Sequence, residues 1–221
     1  MSRLLGILGG AFNPPHHGHL RAALEVKEKL GLDTLLLVPS GQHPFKKGGA
    51  LAGATHRLAM TRLACGQDGD LETSSVEVER TTTTYTIDTL AQLSERYPGY
   101  ELVFLMGRDL LKELHLWKGW QTLLNIAHLC QMMRPGPINE PGAQPVVEEW
   151  LQNHQRSDYK GLSRDAEGRM GFVRLPITQL DISSSDIRAR VQEGKSIRFL
   201  TPDSVIGYIH DHGLYRNASQ S

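Results

Sequence analysis

The chain has 221 residues, enough to bury a substantial core and few enough to form one domain. With 39% hydrophobic residues, 22% charged residues and a formal net charge of +0, its composition argues against a disordered or fibrous protein and suggests no basic surface for long nucleic acid. No run reaches the roughly 20 apolar residues of a membrane span. Cys65 and Cys130 lack metal or redox spacing, so a cytoplasmic protein is expected.

Leu4 to Leu8 (LLGIL) is an apolar run closed by glycines and reads as a buried strand. Leu20, Ala23, Leu24 and Leu30 then fall at helical spacing between Gly18 and Leu30, and Gly31 is placed to end that helix. Thr34 to Ser40 (TLLLVPS) is a second apolar run, stopped by proline. Two fully apolar strands around a helix predict a parallel βαβ unit, because both faces of such a sheet are covered.

The alternation continues with a helix over Thr55–Ala64, a strand over Leu71–Val78, a helix over Thr86–Tyr97 and a strand over Glu101–Gly107. A short helical stretch and WQTLLNIA lead into a strand over Ala127–Met133. PVVEEWLQNHQ reads as a helix, GFVRLP as a strand, and Ser184–Glu193 and Pro202–His212 as closing helices. The expected fold is α/β: a doubly wound, parallel, Rossmann-like sheet with a small helical C-terminal end. One domain covers residues 1–216, with a short tail over 217–221. Two loops rich in glycine or proline, Gly41–Ala54 and Arg134–Pro145, follow strands at the carboxyl edge, where such sheets bind ligands. The first carries His43, Lys46 and Lys47 and is expected to grip an anion and to order when substrate binds.

The stretch GILGGAFNPPHHGHL, residues 6–20, concentrates glycine, proline and histidine between the first strand and the first helix. A metal site is disfavoured: no acid or cysteine lies nearby, and His16, His17 and His19 lack the i, i+4 spacing of helical metal motifs. A phosphate loop fits better. Glycines allow close backbone approach, and the segment runs into a helix start, whose free N–H groups favour anions. Neither G-x-G-x-x-G nor GK[ST] is present, so histidine stands where other phosphate loops carry lysine.

GGAFNPPHHGH resembles the G-G-x-F-D-P-x-H-x-G-H signature of the nucleotidyltransferases that share H-x-G-H with class I aminoacyl-tRNA synthetases. ISSSDIR, from Ile182 to Arg188, is similar to their I-S-S-T-x-I-R element. TYTIDTL, FLMGRDLL, LWKGW, MRPG and the closing YIHDHGLYR extend the resemblance to the bacterial nicotinate-mononucleotide adenylyltransferases, over nearly the whole chain to Arg216. Ala11 and Asn13 replace the usual Thr and Asp, GQHPFKK only approximates P-P-H-K, and GRDLL replaces G-x-D-S-L.

The resemblance implies adenylyl transfer from ATP to nicotinate mononucleotide, with Mg²⁺ carried on the polyphosphate. His16, His19 and Arg188 would be the catalytic groups, donating to phosphate oxygens. Gly9, Gly10, Ala11, Phe12, Gly18, Gly107, Asp109, Ile182, Ser183, Ser184 and Ser185 would complete the ATP site, with Ser184 and Ser185 also fitting a helix cap. Tyr85 and Thr86 would take the nicotinate carboxylate, Trp117 the pyridine ring and Asp109 the ribose. Lys46 and Arg134 would take the mononucleotide phosphate. No nucleic-acid or membrane partner is implied. Three alternatives stay open: an acceptor such as nicotinamide mononucleotide or phosphopantetheine, a nucleotide-binding regulator without turnover, and a metal-binding protein.

Overall fold

A computed structural model describes residues 3–41, 51–66, 69–133, 142–157, 159, 162 and 164–216. Six strands, β1 (Arg3–Gly10), β2 (Thr34–Pro39), β3 (Leu71–Thr73), β4 (Tyr100–Met106), β5 (Ala127–Met133) and β6 (Phe172–Pro176), form one sheet in the order β3-β2-β1-β4-β5-β6. Every neighbouring pair is parallel, with Ile7 of β1 opposite Leu36 of β2 and Phe104 of β4. The doubly wound expectation is met. The chain builds outward from β1 to β3, then returns to lay β4 against the free side of β1. That reversal opens a crevice beyond the carboxyl ends of β1 and β4.

Successive strand residues serve opposite faces, as the pleat requires. Leu5, Ile7, Leu36, Val38, Leu102 and Phe104 pack on one face, against Leu90 and Leu93 of α3 (Thr86–Arg96) and Leu151 of α5 (Pro145–Asn153). Leu4, Leu8, Leu35, Leu37, Val103 and Leu105 pack on the other, against Ala23, Val26 and Leu30 of α1 (His17–Leu30). With both faces covered, the central strands are apolar without alternation, which is why they were legible as runs.

A third cluster joins α2 (Ala54–Cys65), α6 (Ser184–Gln192) and α7 (Asp203–Asp211) through Met60, Ile187, Val205 and Ile209. This helical end is not an appendage. It packs the C-terminal signature against the segment that follows β2. Between β4 and β5, α4 (Arg108–Glu113) and two 3₁₀ turns, Leu114–Leu116 and Trp120–Asn125, fill the edge of the first face.

One element departs from expectation. The strand expected over Leu71–Val78 stops at Thr73. Beyond it, Ser75 Oγ donates to Glu79 Oε1 (2.6 Å), Glu79 N–H to Ser75 O (2.9 Å) and Val76 N–H to Ser74 Oγ (3.4 Å). Serines that bond nearby groups compete with ladder pairing and turn the chain. The turn aims Glu77 inward, where Gly41 N–H (3.3 Å) and Thr89 O–H (2.9 Å) donate to its carboxylate.

Gly41 sits hard against this turn: a Cβ there would lie 2.1 Å from Glu77 O and 3.2 Å from Thr84 Cγ2. Gly207, within α7, has open space around it. Gly41→Ala is therefore expected to lose about 1–3 kcal/mol of stability, and Gly207→Ala to gain about 0.5–1 kcal/mol. Urea unfolding of the two variants beside the parent chain checks both signs.

Candidate active site at the sheet crevice

Residues 11–16 leave the end of β1 and enter α1 directly over the crevice. Pro14 and Pro15 have no N–H, and the segment forms no ladder, so its carbonyl oxygens need donors from elsewhere. They are supplied from distant parts of the chain. Arg57 Nη1 donates to Ala11 O (2.8 Å) and Arg188 Nη1 to Asn13 O (2.8 Å). Ser184 Oγ donates to Pro14 O (2.8 Å) and Thr201 Oγ1 to Pro15 O (2.7 Å). His17 N–H donates to Leu200 O (3.0 Å). The two signatures, nearly the whole chain apart, thus meet through hydrogen bonds.

Asn13 is buried, and its Oδ1 accepts from Ala52 N–H (3.0 Å) and Tyr215 O–H (2.7 Å). The amide at this position has a tying role, joining the first signature to the start of α2 and the C-terminal turn. Burial and the loss of hydration push the Tyr215 hydroxyl well above its ordinary pKa, so it remains a donor. Ala11 contributes its main-chain oxygen to Arg57.

His16 precedes α1 and His19 lies in its first turn. Their rings stack at 3.7 Å, and the edge of Phe12 meets His19 at 5.1 Å. Burial, with a smaller contribution from the neighbouring His17, lowers the His16 pKa to about 4. Burial and then His16 lower that of His19 to about 3. Both are neutral near pH 7. His16 N–H donates to His19 Nδ1 (3.3 Å), so the neutral His19 ring carries its proton on Nε2 and keeps that donor for a ligand. His16 Nδ1 is buried without a hydrogen-bond partner among the described residues.

At Gly18 a Cβ would lie 3.0 Å from His16 Nδ1 and 3.1 Å from His16 Cε1, so glycine makes room for a histidine ring. One correction concerns the serines. Ser183 caps α6, accepting from Asp186 N–H (3.0 Å), whereas Ser184 holds Pro14 and Ser185 Oγ accepts from Arg188 Nη2 (3.2 Å). Of the other residues expected here, Gly9 and Gly10 end β1, Phe12 is buried with φ 45°, and Ile182 packs against the third cluster.

Across the crevice, Gly107 ends β4 and opens α4, with Asp109 exposed in its first turn. Tyr85 caps α3 and Thr86 begins it. The segment after α4 closes on the same helix start: Lys118 Nζ lies 5.0 Å from the centre of the Tyr85 ring and 3.0 Å from Asp88 Oδ2. Trp117 is half-buried, edge-on to Phe104 at 6.2 Å. Tyr85, Thr86 and Trp117 therefore belong to one neighbourhood. Lys46 and Arg134, with His43 and Lys47, lie outside the described residues.

Sequence reasoning missed Arg57, Thr201, Tyr215 and Glu25. Glu25 is buried, pairs with Lys29 (2.8 Å) and accepts from Thr178 N–H (2.9 Å), fixing the approach to the second signature. Arg57 and Thr201 carry no sequence signal for this, because their partners are backbone carbonyls. Tyr215 lies in the closing YIHDHGLYR, and Glu25 pairs with Lys29 at i, i+4, but neither spacing names its distant partner. The unassigned histidines are structural where bonded: His128 to Glu101 (3.1 Å), His154 to Trp150 O (2.7 Å) and His56 to Tyr208 (3.0 Å).

The cytidylyltransferase-like family model matches residues 7–190, a span that contains both signatures. A protein of Roseiflexus sp. (strain RS-1), named probable nicotinate-nucleotide adenylyltransferase, is 39% identical over 96% of this chain and 98% of its own. One of Desulfatibacillum aliphaticivorans with the same name is 39% identical over 96% and 99%. The nicotinic acid mononucleotide adenylyltransferase of Plasmodium falciparum, solved with NaAD, superposes with a TM-score of 0.69 at 18% identity, covering 96% of this chain and 97% of that one, which shows a shared fold. The chain belongs to the cytidylyltransferase-like family and, within it, to the nicotinate-nucleotide adenylyltransferases.

Proposed function

We propose that the chain transfers the adenylyl group of Mg-ATP to nicotinate mononucleotide, yielding nicotinate adenine dinucleotide and pyrophosphate for the biosynthesis of NAD. The observation that carries this reading is the stacked His16–His19 pair at the start of α1, above the crevice and tied to Ser184 and Arg188 of the second signature through the loop between. A phosphate oxygen of the mononucleotide attacks the α-phosphorus of ATP, the bond to the β-phosphate breaks, and pyrophosphate leaves with the electron pair. The attacking phosphate, with a second pKa of about 6, is already ionised near pH 7 and needs no general base. Orientation and charge neutralisation supply the rate.

Neutral imidazoles serve the orientation as hydrogen-bond donors, and charge neutralisation falls to Arg188 and Mg²⁺. His19 Nε2–H is assigned to a phosphate oxygen, and of the first-turn N–H groups of α1 that of Gly18 adds to it, since those of His17 and His19 are bonded to Leu200 O and His16 O. Arg188 spends two nitrogens on Asn13 and Ser185, which fixes its guanidinium beside the loop; its remaining N–H groups are assigned to the polyphosphate. Among the described residues no group of three His, Cys, Asp or Glu side chains could hold a metal ion. Mg²⁺ is assigned to enter as part of the substrate, liganded by phosphate and water. Tyr85 and Thr86 are assigned to the pyridine carboxylate, because the start of α3 offers N–H groups and a dipole that favour an anion over a neutral carboxamide. Trp117 is assigned to the ring and Asp109 to the ribose, with Lys46 and Arg134 as candidates for the mononucleotide phosphate. Among the described residues, no helix is long and apolar enough to cross a membrane, and two unpaired thiols suit a cytoplasmic setting.

Pyrophosphate release from Mg-ATP should be at least about tenfold faster with nicotinate mononucleotide than with nicotinamide mononucleotide at equal concentrations. Equal rates would refute the acid preference, and no release with either would refute the transfer itself. His19→Ala is expected to lower kcat by about a hundredfold to a thousandfold with the fold retained.

The histidines also set a pH dependence. Their folded pKa values of about 4 and about 3 lie below the unfolded value near 6.5, so the unfolded chain binds more protons across that interval. This contribution to stability is full above pH 7 and is lost as the pH falls through 6.5 toward 4. Urea midpoints should drop between pH 7.5 and pH 5.5, and the drop should shrink in His19→Gln; an unchanged slope would contradict the assignment.

A further inference from the structure

Arg57 lies in α2 and is only 1% exposed, although it is a charged residue. Its guanidinium donates to three separate pieces of backbone: Nε to Ala52 O (3.1 Å), Nη1 to Ala11 O (2.8 Å) and Nη2 to Ser40 O (2.6 Å). A fourth contact, Nη1 to Ser40 Oγ, measures 3.3 Å. Its own backbone is fixed too, with its N–H donating to Gly53 O (3.1 Å) and its carbonyl accepting from Thr61 Oγ1 (2.7 Å).

Among the described residues no carboxylate stands within ion-pair distance of Arg57. The titratable groups acting on it are the Tyr215 hydroxyl and Glu77, whose carboxylate is held by Gly41 and Thr89. A buried charge kept for packing alone would be a poor choice, since apolar side chains of similar volume serve at least as well. Three carbonyls met by three different nitrogens of one plane suit a rigid five-donor fork better than the single point of an ammonium. The contacts also have a meaning in chain order. Ala11 opens the first signature, while Ser40 and Ala52 stand on either side of Lys46 in sequence.

Resting on the adenylyl-transfer reading above, we propose that Arg57 is a positioning residue for the reaction. It sets the first signature against the end of β2 and the start of α2, and so aligns the α-phosphate held beside His16 and His19 with the attacking phosphate. It touches neither substrate. Its loss misaligns the reacting groups more than it weakens their binding, and misplacement on the scale of an ångström costs rate steeply.

The test pairs steady-state kinetics with hydrogen exchange in the full chain, comparing the parent with Arg57→Met and Arg57→Lys. Arg57→Met should lose about a hundredfold in kcat at saturating Mg-ATP and nicotinate mononucleotide. Both KM values should stay within about threefold of the parent. Amides of residues 11–19 should exchange about tenfold faster, while those of Val26–Leu30 keep their protection. Arg57→Lys should fall between Met and the parent in both readouts. Should the Met variant fail to fold, the Lys variant decides alone. A kcat within about twofold of the parent in a folded variant would overturn the proposal. Exchange accelerated evenly through α1 would overturn it too, by marking a general loss of stability. If the parent itself released no pyrophosphate, the functional reading would fall, and the exchange pattern would still decide whether Arg57 places the signature loop.

Discussion

The structure depends on how one short segment, residues 11–16, satisfies its carbonyl oxygens. It has too many prolines to form a ladder and too little exposure to rely on water. Side chains from α2, from α6 and from the residue before Pro202 therefore donate to it. Each such bond is worth only about 1 kcal/mol net, but leaving a buried carbonyl without a donor costs about 1–3 kcal/mol. That asymmetry makes the C-terminal helices indispensable to a loop that lies near the N-terminus. Sheet order adds the second requirement, a crevice at the reversal between β1 and β4 over which the loop can sit.

The chemistry follows from the same closure. Packing His16 and His19 against each other and against Phe12 removes them from water, which keeps both neutral. A backbone N–H then fixes which nitrogen of His19 bears the proton. The donor is thereby oriented before any ligand arrives, so little reorganisation is left for the moment of transfer. Fixed arginines nearby have guanidiniums already committed in part to the loop, which limits their freedom in the same way.

Much of this was legible in the sequence. Apolar runs such as LLGIL and ELVFLM gave the covered strands, and their alternation with helices gave the winding. The two signatures, nearly the whole chain apart in sequence, are joined by hydrogen bonds in the structure. Arg57 was not legible, because a charged residue among HRLAM reads as one exposed position of a helix, and its partners are carbonyls that carry no residue identity. The neighbour of Gly18 was not legible for a related reason: glycine reports that something comes close, and His16 is one such group. Among the serines, Ser183, Ser184 and Ser185 have equal capping propensity, and only the three-dimensional position of Pro14 decides which one turns away. The strand after Leu71 stopped short because serine hydroxyls offered its backbone other partners.

Where the polyphosphate binds, and what the loop does when it arrives, decide whether His16 and His19 act as phosphate donors. A crystal structure of the chain with a non-hydrolysable Mg-ATP analogue addresses both. The account predicts phosphate oxygens within hydrogen-bond distance of His19 Nε2, over the ends of β1 and β4, with Ser184 and Thr201 still donating to Pro14 and Pro15. A nucleotide seated elsewhere, or a loop that lets go of those hydroxyls as the nucleotide binds, would contradict it.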